Sequence, residues 1–326
     1  MEFTCKEASR LDVVMSKALG LPRNQVEKLI KNVGVYVNDG LIQKSSHKVQ
    51  EADVISYEFI EAPKSELAYA VDFNVPILYE DDDLLIINKP PFLTVHGAPS
   101  VKEATLVDWL KSKGISLSTI SGEERHGIVH RIDKETSGAL VVAKNNEAHV
   151  KLAQQLEDKS MGRYYLALID VPLKDDVIVE LPIGRNPNHR LKMAVIKEGR
   201  HAKSAFSKLA LSNDGKKELI AAKLFTGRTH QIRVHLNALS RHILGDSLYG
   251  FKSHNGTIPR VMLHAYILYL NHPRTGESLQ VHAPLWDDFN TYLADHFKKD
   301  EIDEKIALDR IISGFKFDDQ WLRKDA

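Results

Sequence analysis

A single cysteine in 326 residues, Cys5, excludes an internal disulfide, and it stands in no metal-ligand spacing. An inert thiol in a reducing compartment is the expectation. Apolar runs are short: LLII at 84–87 is far below bilayer length, and the opening MEFTCKEASR has no signal-peptide core. A cytoplasmic protein without a membrane anchor is therefore expected. Neither charge is in excess, since 44 Lys and Arg balance 44 Asp and Glu. That excludes a global positive field and confines any contact with nucleic acid to a local patch. Also missing are G-x-G-x-x-G, the Walker loop, H-E-x-x-H and G-x-S-x-G, so hydride transfer, nucleotide hydrolysis and serine hydrolysis lose support.

What is present suits an ordinary globular protein: 43% apolar and 27% charged residues over a length that predicts two domains. Residues 1–60 read as the first. Leu11, Val14, Met15 and Ala18 recur at helical spacing, as do Val26, Leu29 and Ile30, giving two short helices with one apolar face each. Asn38-Asp39-Gly40 tolerates positive φ and predicts a hairpin turn after Val35–Val37. Arg10-Leu11-Asp12, the basic second helix and Gly34-Val35-Tyr36-Val37-Asn38 resemble the S4 RNA-binding domain. The resemblance implies that Arg23, Lys28 and Lys31, on the exposed face of that helix, hold RNA phosphates.

Residues 61–75 mix Glu, Ala, Pro and Ser without periodicity and read as a linker. From 76 to 298, β-rich runs (ILYEDDDLLIINK, GALVVAKN, RYYLALID, ELIAAKLF, VMLHAYILYL) alternate irregularly with helical ones (EAHVKLAQQLED, THQIRVHLNAL, DFNTYLADHF). That pattern predicts an α+β domain on a mixed, largely antiparallel sheet, not a doubly wound one. Residues 299–326 carry helical spacing at Ile302, Ile306, Ile311, Ile312 and Phe315 and read as a helical tail.

Two segments concentrate reactive groups. Residues 125–138, RHGIVHRIDKETSG, place Asp133 in a turn before a strand; Asp133 could cap that turn, and His126 and His130 could suggest a metal, but no third ligand accompanies them. Residues 227–235, GRTHQIRVH, follow a strand and run into a helix that Thr229 is placed to cap. Arg228 at this junction could grip a carboxylate through two parallel hydrogen bonds.

The first segment resembles the H-R-[LI]-D-x-x-T-S-G motif of RluA-type pseudouridine synthases, through His130-Arg131-Ile132-Asp133 and Thr136-Ser137-Gly138. The likeness continues in order through Asn88-Lys89-Pro90-Pro91, Arg163-Tyr164-Tyr165, Gly227 to Arg233, Gly245-Asp246-Ser247-Leu248-Tyr249-Gly250, Leu263-His264-Ala265 and Ala283-Pro284. Departures are few: Phe92 and Gly97 stand where Gly and Pro are usual, and Leu285 where Pro is common. The resemblance implies that Asp133 is the catalytic aspartate, Tyr165 stacks on the target base, Arg228 is the partner of Asp133, and Arg131 supports base extrusion, with His130 and Thr136 in the substrate site. It implies neither cofactor nor metal. The expected partner is structured RNA, met by a monomer: large-subunit (23S) ribosomal RNA in view of the S4 domain, with transfer RNA as the alternative. A noncatalytic RNA-binding protein is the reading from another class, and the intact Asp133, Tyr165 and Arg228 motifs argue against it.

Overall fold

The structure is a computed structural model and describes residues 1–19, 21, 23–58, 69–98, 101–120, 126–251, 258–315 and 321–325. Gly20, Pro22, Arg125, the first part of the expected linker (61–68) and the side chain of Lys28 lie outside the described residues.

In the amino-terminal unit the two expected helices form at Leu11–Leu19 and Arg23–Asn32. Their apolar faces supply Leu11, Val14, Met15, Val26 and Ile30 to a core closed by Val35, Val49, Ile55 and Tyr57. Cys5 is buried in the same core, as an inert thiol would be. The turn reads as predicted: Val35–Val37 pairs antiparallel with Gly40–Ile42, and Asn38 (φ 47°) and Asp39 (φ 68°) take the positive angles of a hairpin turn that follows strand twist. Asp12 is fully buried. Hydrogen bonds from Arg10, working against its burial, and then from Arg23 hold its carboxyl down at about 2.

The second unit is built on a ten-stranded sheet among the described residues. Neighbours pair antiparallel except at two places, Leu263–Asn271 beside Ser137–Ala143 and Val177–Glu180 beside Leu322–Asp325. The sheet is thus mixed and largely antiparallel, as expected. Its central strands are apolar at consecutive positions because both faces are covered. Leu85, Ile87, Leu140 and Val142 face one core, while Leu84, Ile86, Ala139, Val141 and Ala143 face another under the helix Asn146–Asp158. The first core also takes the helices Leu106–Ser112 and Gln231–Ala238.

The carboxyl-terminal segment departs from the helical tail that its spacing suggests. Helices Lys299–Lys305 and Leu308–Gly314 are followed by the strand Leu322–Asp325, which extends the sheet edge. Ile302, Ile311, Phe315 and Trp321 are buried in the first core, so burying that apolar face attaches the segment to the second unit.

Gly138, just after the Asp133 turn, has φ 113°, and a Cβ there would lie 2.3 Å from the Ala265 carbonyl oxygen and 2.5 Å from its nitrogen. Both obstacles are backbone of the paired strand and cannot move aside. Gly138→Ala is expected to destabilise the domain by more than about 2 kcal/mol, read as a fall in thermal midpoint. An unchanged midpoint would show that the strand pair tolerates a shift.

Candidate active site

Asp133 sits in a short turn in which Thr136 N–H donates to the Asp133 carbonyl 3.1 Å away, immediately before the strand Ser137–Ala143. Lys89 anchors this turn from beneath. It is fully buried, and its Nζ donates to the carbonyls of Pro90 (2.7 Å), Leu93 (2.9 Å) and Lys134 (3.0 Å). Burial pulls its pKa down to about 7 against the opposing attraction of Asp133, with Arg260 and Lys134 adding to the depression.

The turn forms one wall of a cleft of about 480 Å³. The strand Gly162–Ile169 and the junction from Lys223 into the helix Gln231–Ala238 form others. His130, Arg131, Asp133, Thr136, Tyr165 and Arg228 all line it, so every expected site residue of the catalytic domain is in one place. The cleft lining carries six cations, Arg131, Lys159, Arg163, Lys223, Arg228 and Arg233, against one acid, Asp133. The balance of zero over the whole chain therefore conceals a local positive concentration.

Strand alternation places the two tyrosines apart. Tyr165 lines the cleft, while Tyr164 packs on Tyr269 and Phe315 at centroid distances of 5.7 and 5.2 Å. Burial raises the Tyr165 hydroxyl; the charge of Arg163 opposes the rise and that of Asp133 adds to it.

The guanidinium that reaches Asp133 belongs to Arg233. Its Nη1 donates to Asp133 Oδ2 at 3.1 Å, while Nε and Nη2 hold both oxygens of buried Asp246 at 2.7 and 2.8 Å. Burial works against the Arg233 charge, but the bonds and charges of Asp246 and Asp133 more than offset it and hold the pKa above its ordinary value. His230 Nε2 lies 3.8 Å from the same Asp133 oxygen, and its Nδ1 shares a hydrogen bond with the Tyr249 hydroxyl at 2.9 Å. Burial outweighs the pull of Asp133 and lowers the His230 pKa, so Arg233 supplies the positive charge facing the carboxylate.

Comparison with known proteins identifies the family of both units. The RNA pseudouridylate synthase profile matches residues 83–238, and the S4 domain profile matches 9–55. An uncharacterized RNA pseudouridine synthase of Helicobacter pylori strain J99 is 46% identical over 316 residues, covering 94% of this chain and 95% of its own. The chain belongs to the RNA pseudouridine synthase family. Its motifs place it with the RluA/RluD type. Ribosomal large subunit pseudouridine synthase D of Nitrosomonas europaea is 42% identical over 224 residues, 67% of this chain and 64% of that one. Among solved structures, human RNA pseudouridylate synthase domain containing 1 superposes with a TM-score of 0.56 at 26% identity, covering 71% of this chain and 94% of that one.

Three expectations need correction or refinement in the synthase. Arg228 does not hold Asp133: its Nε donates to the His201 carbonyl at 2.9 Å. It precedes the helix, whereas Arg233 lies inside it and is carried back toward the Asp133 turn. Thr229 does not cap that helix either. His230 is the N-cap residue in a left-handed conformation (φ 55°), and Gln231 Oε1 instead accepts from Arg228 N–H and the Thr226 hydroxyl. In the S4 unit, Arg23 is tied to Asp12 at 2.7 Å while remaining half exposed, and Lys31 is exposed.

Metal-ligand chemistry is not assembled at His130, whose Nε2 accepts from Val141 N–H at 3.1 Å while Arg163 Nη1 lies 2.8 Å from its Nδ1. A group with ligand-type side chains does occur at Asp81, Asp83 and His272, outside the cleft lining. There His272 bonds Asp81, and Arg274 grips both oxygens of Asp83. Phe92, where the family commonly has Gly, takes φ 65° with its ring half exposed, so it keeps the backbone shape that glycine would adopt freely.

Arg228→Lys is expected to retain activity within about threefold, because Arg228 makes no bond to Asp133 and a lysine preserves the charge at the cleft. A loss of a hundredfold in single-turnover rate would restore Arg228 to the reacting centre.

Proposed function

We propose that this synthase isomerises a uridine of structured large-subunit ribosomal RNA. The supporting observation is the S4 unit preceding a cleft rich in cations, together with the likeness to a relative described as acting on the large ribosomal subunit. In this reading the uridine is extruded from the fold, at a cost of a few kcal/mol, because its glycosidic bond is inaccessible while stacked. Arg131, exposed at the cleft, supports the displaced strand, and Tyr165 stacks on the base, a contact worth about 1–3 kcal/mol. Asp133 then acts at the ribose, as nucleophile at C1′ or as base at C2′, while uracil turns to present C5 for the new carbon-carbon bond. Arg233 donates to the carboxylate and aims it, while His130 and Thr136 line the wall beside it.

Chemical mapping of pseudouridine in RNA from cells with and without the gene tests the proposal. Loss of one or more sites from large-subunit RNA is the expected result, and loss confined to transfer RNA would favour the alternative substrate instead. Removing residues 1–60 should weaken binding of a large-subunit transcript and flatten its salt dependence, since fewer phosphates are neutralised. Equal affinity and equal slope would leave the S4 unit without a role in binding.

A further inference from the structure

Three arginines are buried among the described residues, and two of them face carboxylates: Arg233 holds Asp246 and Asp133, and Arg260 holds Asp288. Arg163 is the exception. Only 7% of it is exposed, it pairs with no acid among the described residues, and its Nε is buried without a hydrogen-bond partner. Its Nη1 lies 2.8 Å from Nδ1 of His130, whose Nε2 already accepts from Val141 N–H. Because His130 Nε2 accepts from a backbone N–H, the ring carries no negative charge and no second proton, and it offers Arg163 no counter-charge; burial first and then the charge of Arg163 lower its pKa. A buried guanidinium without a counter-charge is costly, and is best explained where a ligand supplies the missing anion.

The surroundings show where that anion would come. Arg163 and Tyr165, two positions apart on one strand, both line the cleft. At the other end of the guanidinium stands Gly227, where even a Cβ would approach Nη2 to 3.4 Å, so this position contributes no side chain over it. Lys223 and Lys159 line the same cleft, where the one acid among the described residues is Asp133, already engaged by Arg233.

We propose that Arg163 binds an anionic oxygen of the substrate at the Gly227 end of the cleft. The shared chemistry is a guanidinium donating to such an oxygen, and two sources can provide it: a backbone phosphate beside the flipped uridine, or a uracil carbonyl that gains charge when the glycosidic bond breaks. The inference rests on the reading of the cleft as the uridine site.

Arg163→Gln, Arg163→Lys and Gly227→Val are to be compared with the intact protein on a large-subunit transcript carrying tritium at uridine C5. Equilibrium affinity across salt and single-turnover tritium release are measured for each. With a phosphate, Arg163→Gln weakens binding at least about tenfold and lowers the slope of log K against log salt by about 0.7–0.9, while the saturating rate stays within about threefold. Arg163→Lys then recovers the slope, and Gly227→Val, which caps Nη2 without removing the charge, repeats the loss of affinity. With a uracil oxygen, affinity and slope stay as in the intact protein and the saturating rate falls by about tenfold or more. Unchanged affinity, slope and rate in a folded Arg163→Gln overturn the proposal. If that variant does not fold, unchanged values for Gly227→Val overturn it. Failure of the underlying reading is distinguishable, because the intact protein would then release no tritium while the affinity measurements still report on Arg163.

Discussion

Asp133→Asn is expected to abolish pseudouridine formation, by at least about four orders of magnitude in single-turnover rate, while the protein stays folded and binds RNA. Loss of a residue that attacks or deprotonates the substrate has an effect of this order, because no neighbouring group takes over its role. Among the described residues the cleft lining holds no second carboxylate to substitute. The amide keeps the size of the side chain, and its oxygen can still accept from Arg233 Nη1, which in the intact protein lies 3.1 Å from Asp133 Oδ2. Arg233 also retains Asp246, so no buried charge is left without a partner. The thermal midpoint should therefore move little. Tritium release from uridine C5 within tenfold of the intact enzyme would refute the assignment of Asp133 to the reacting centre.

Arg233→Lys should carry the next largest cost, for a different reason. Arg233 spans two carboxylates, giving two bonds to Asp246 and one to Asp133. An ammonium is a point charge without the planar fork and cannot occupy both ends of that arrangement. A loss of about two to three orders of magnitude in rate is expected, comparable to removing one preorganised donor from a catalytic site. Asp246 is buried, so a second cost falls on stability, about 3–5 kcal/mol if the lysine leaves it unpaired. Combining Arg233→Met with Asp246→Asn separates the two effects: stability should recover in part because no lone charge is buried, while activity should not. Recovery of activity in the double variant would mean that Arg233 serves only to neutralise Asp246. Against the mild effect expected of Arg228→Lys, the pair of lysine substitutions decides which arginine serves the carboxylate.

Arginines at 228 and 233 illustrate where local pattern stops being informative. Both stand in one short motif, and the resemblance to the family pointed to the residue at the strand-to-helix junction. Helical geometry decides otherwise, since Gln231 through Leu236 are all buried and the arginine among them must find partners inside the protein. An arginine between Ile232 and Val234 was the available signal, but burial is a property of packing and not of the nine-residue pattern. Asp246, thirteen residues further on, could not be joined to Arg233 without the fold. The same holds for Lys89, whose bond to the Lys134 carbonyl crosses 45 positions.

The major elements were legible where one short-range rule dominates. The hairpin at Asn38-Asp39 follows from the tolerance of those residues for positive φ, and the strands Leu84–Lys89 and Ser137–Ala143 follow from unbroken apolar runs. The edge strand Leu322–Asp325 was not legible. All four of its residues are exposed, so it carries no alternation and forms only because Val177–Glu180 offers unpaired backbone beside it.

By itself the sequence determined the two units, the mixed sheet, the family through its ordered motifs and the turn that carries Asp133, because these depend on residue type and near-neighbour spacing. Only the tertiary structure decided which arginine meets Asp133, which tyrosine faces the cleft, that a neutral chain gathers six cations around one acid, and that Arg163 is buried without a counter-charge. Those are relations between segments distant in the chain, and Coulomb energy and desolvation depend on distance and burial in space, which no local pattern records.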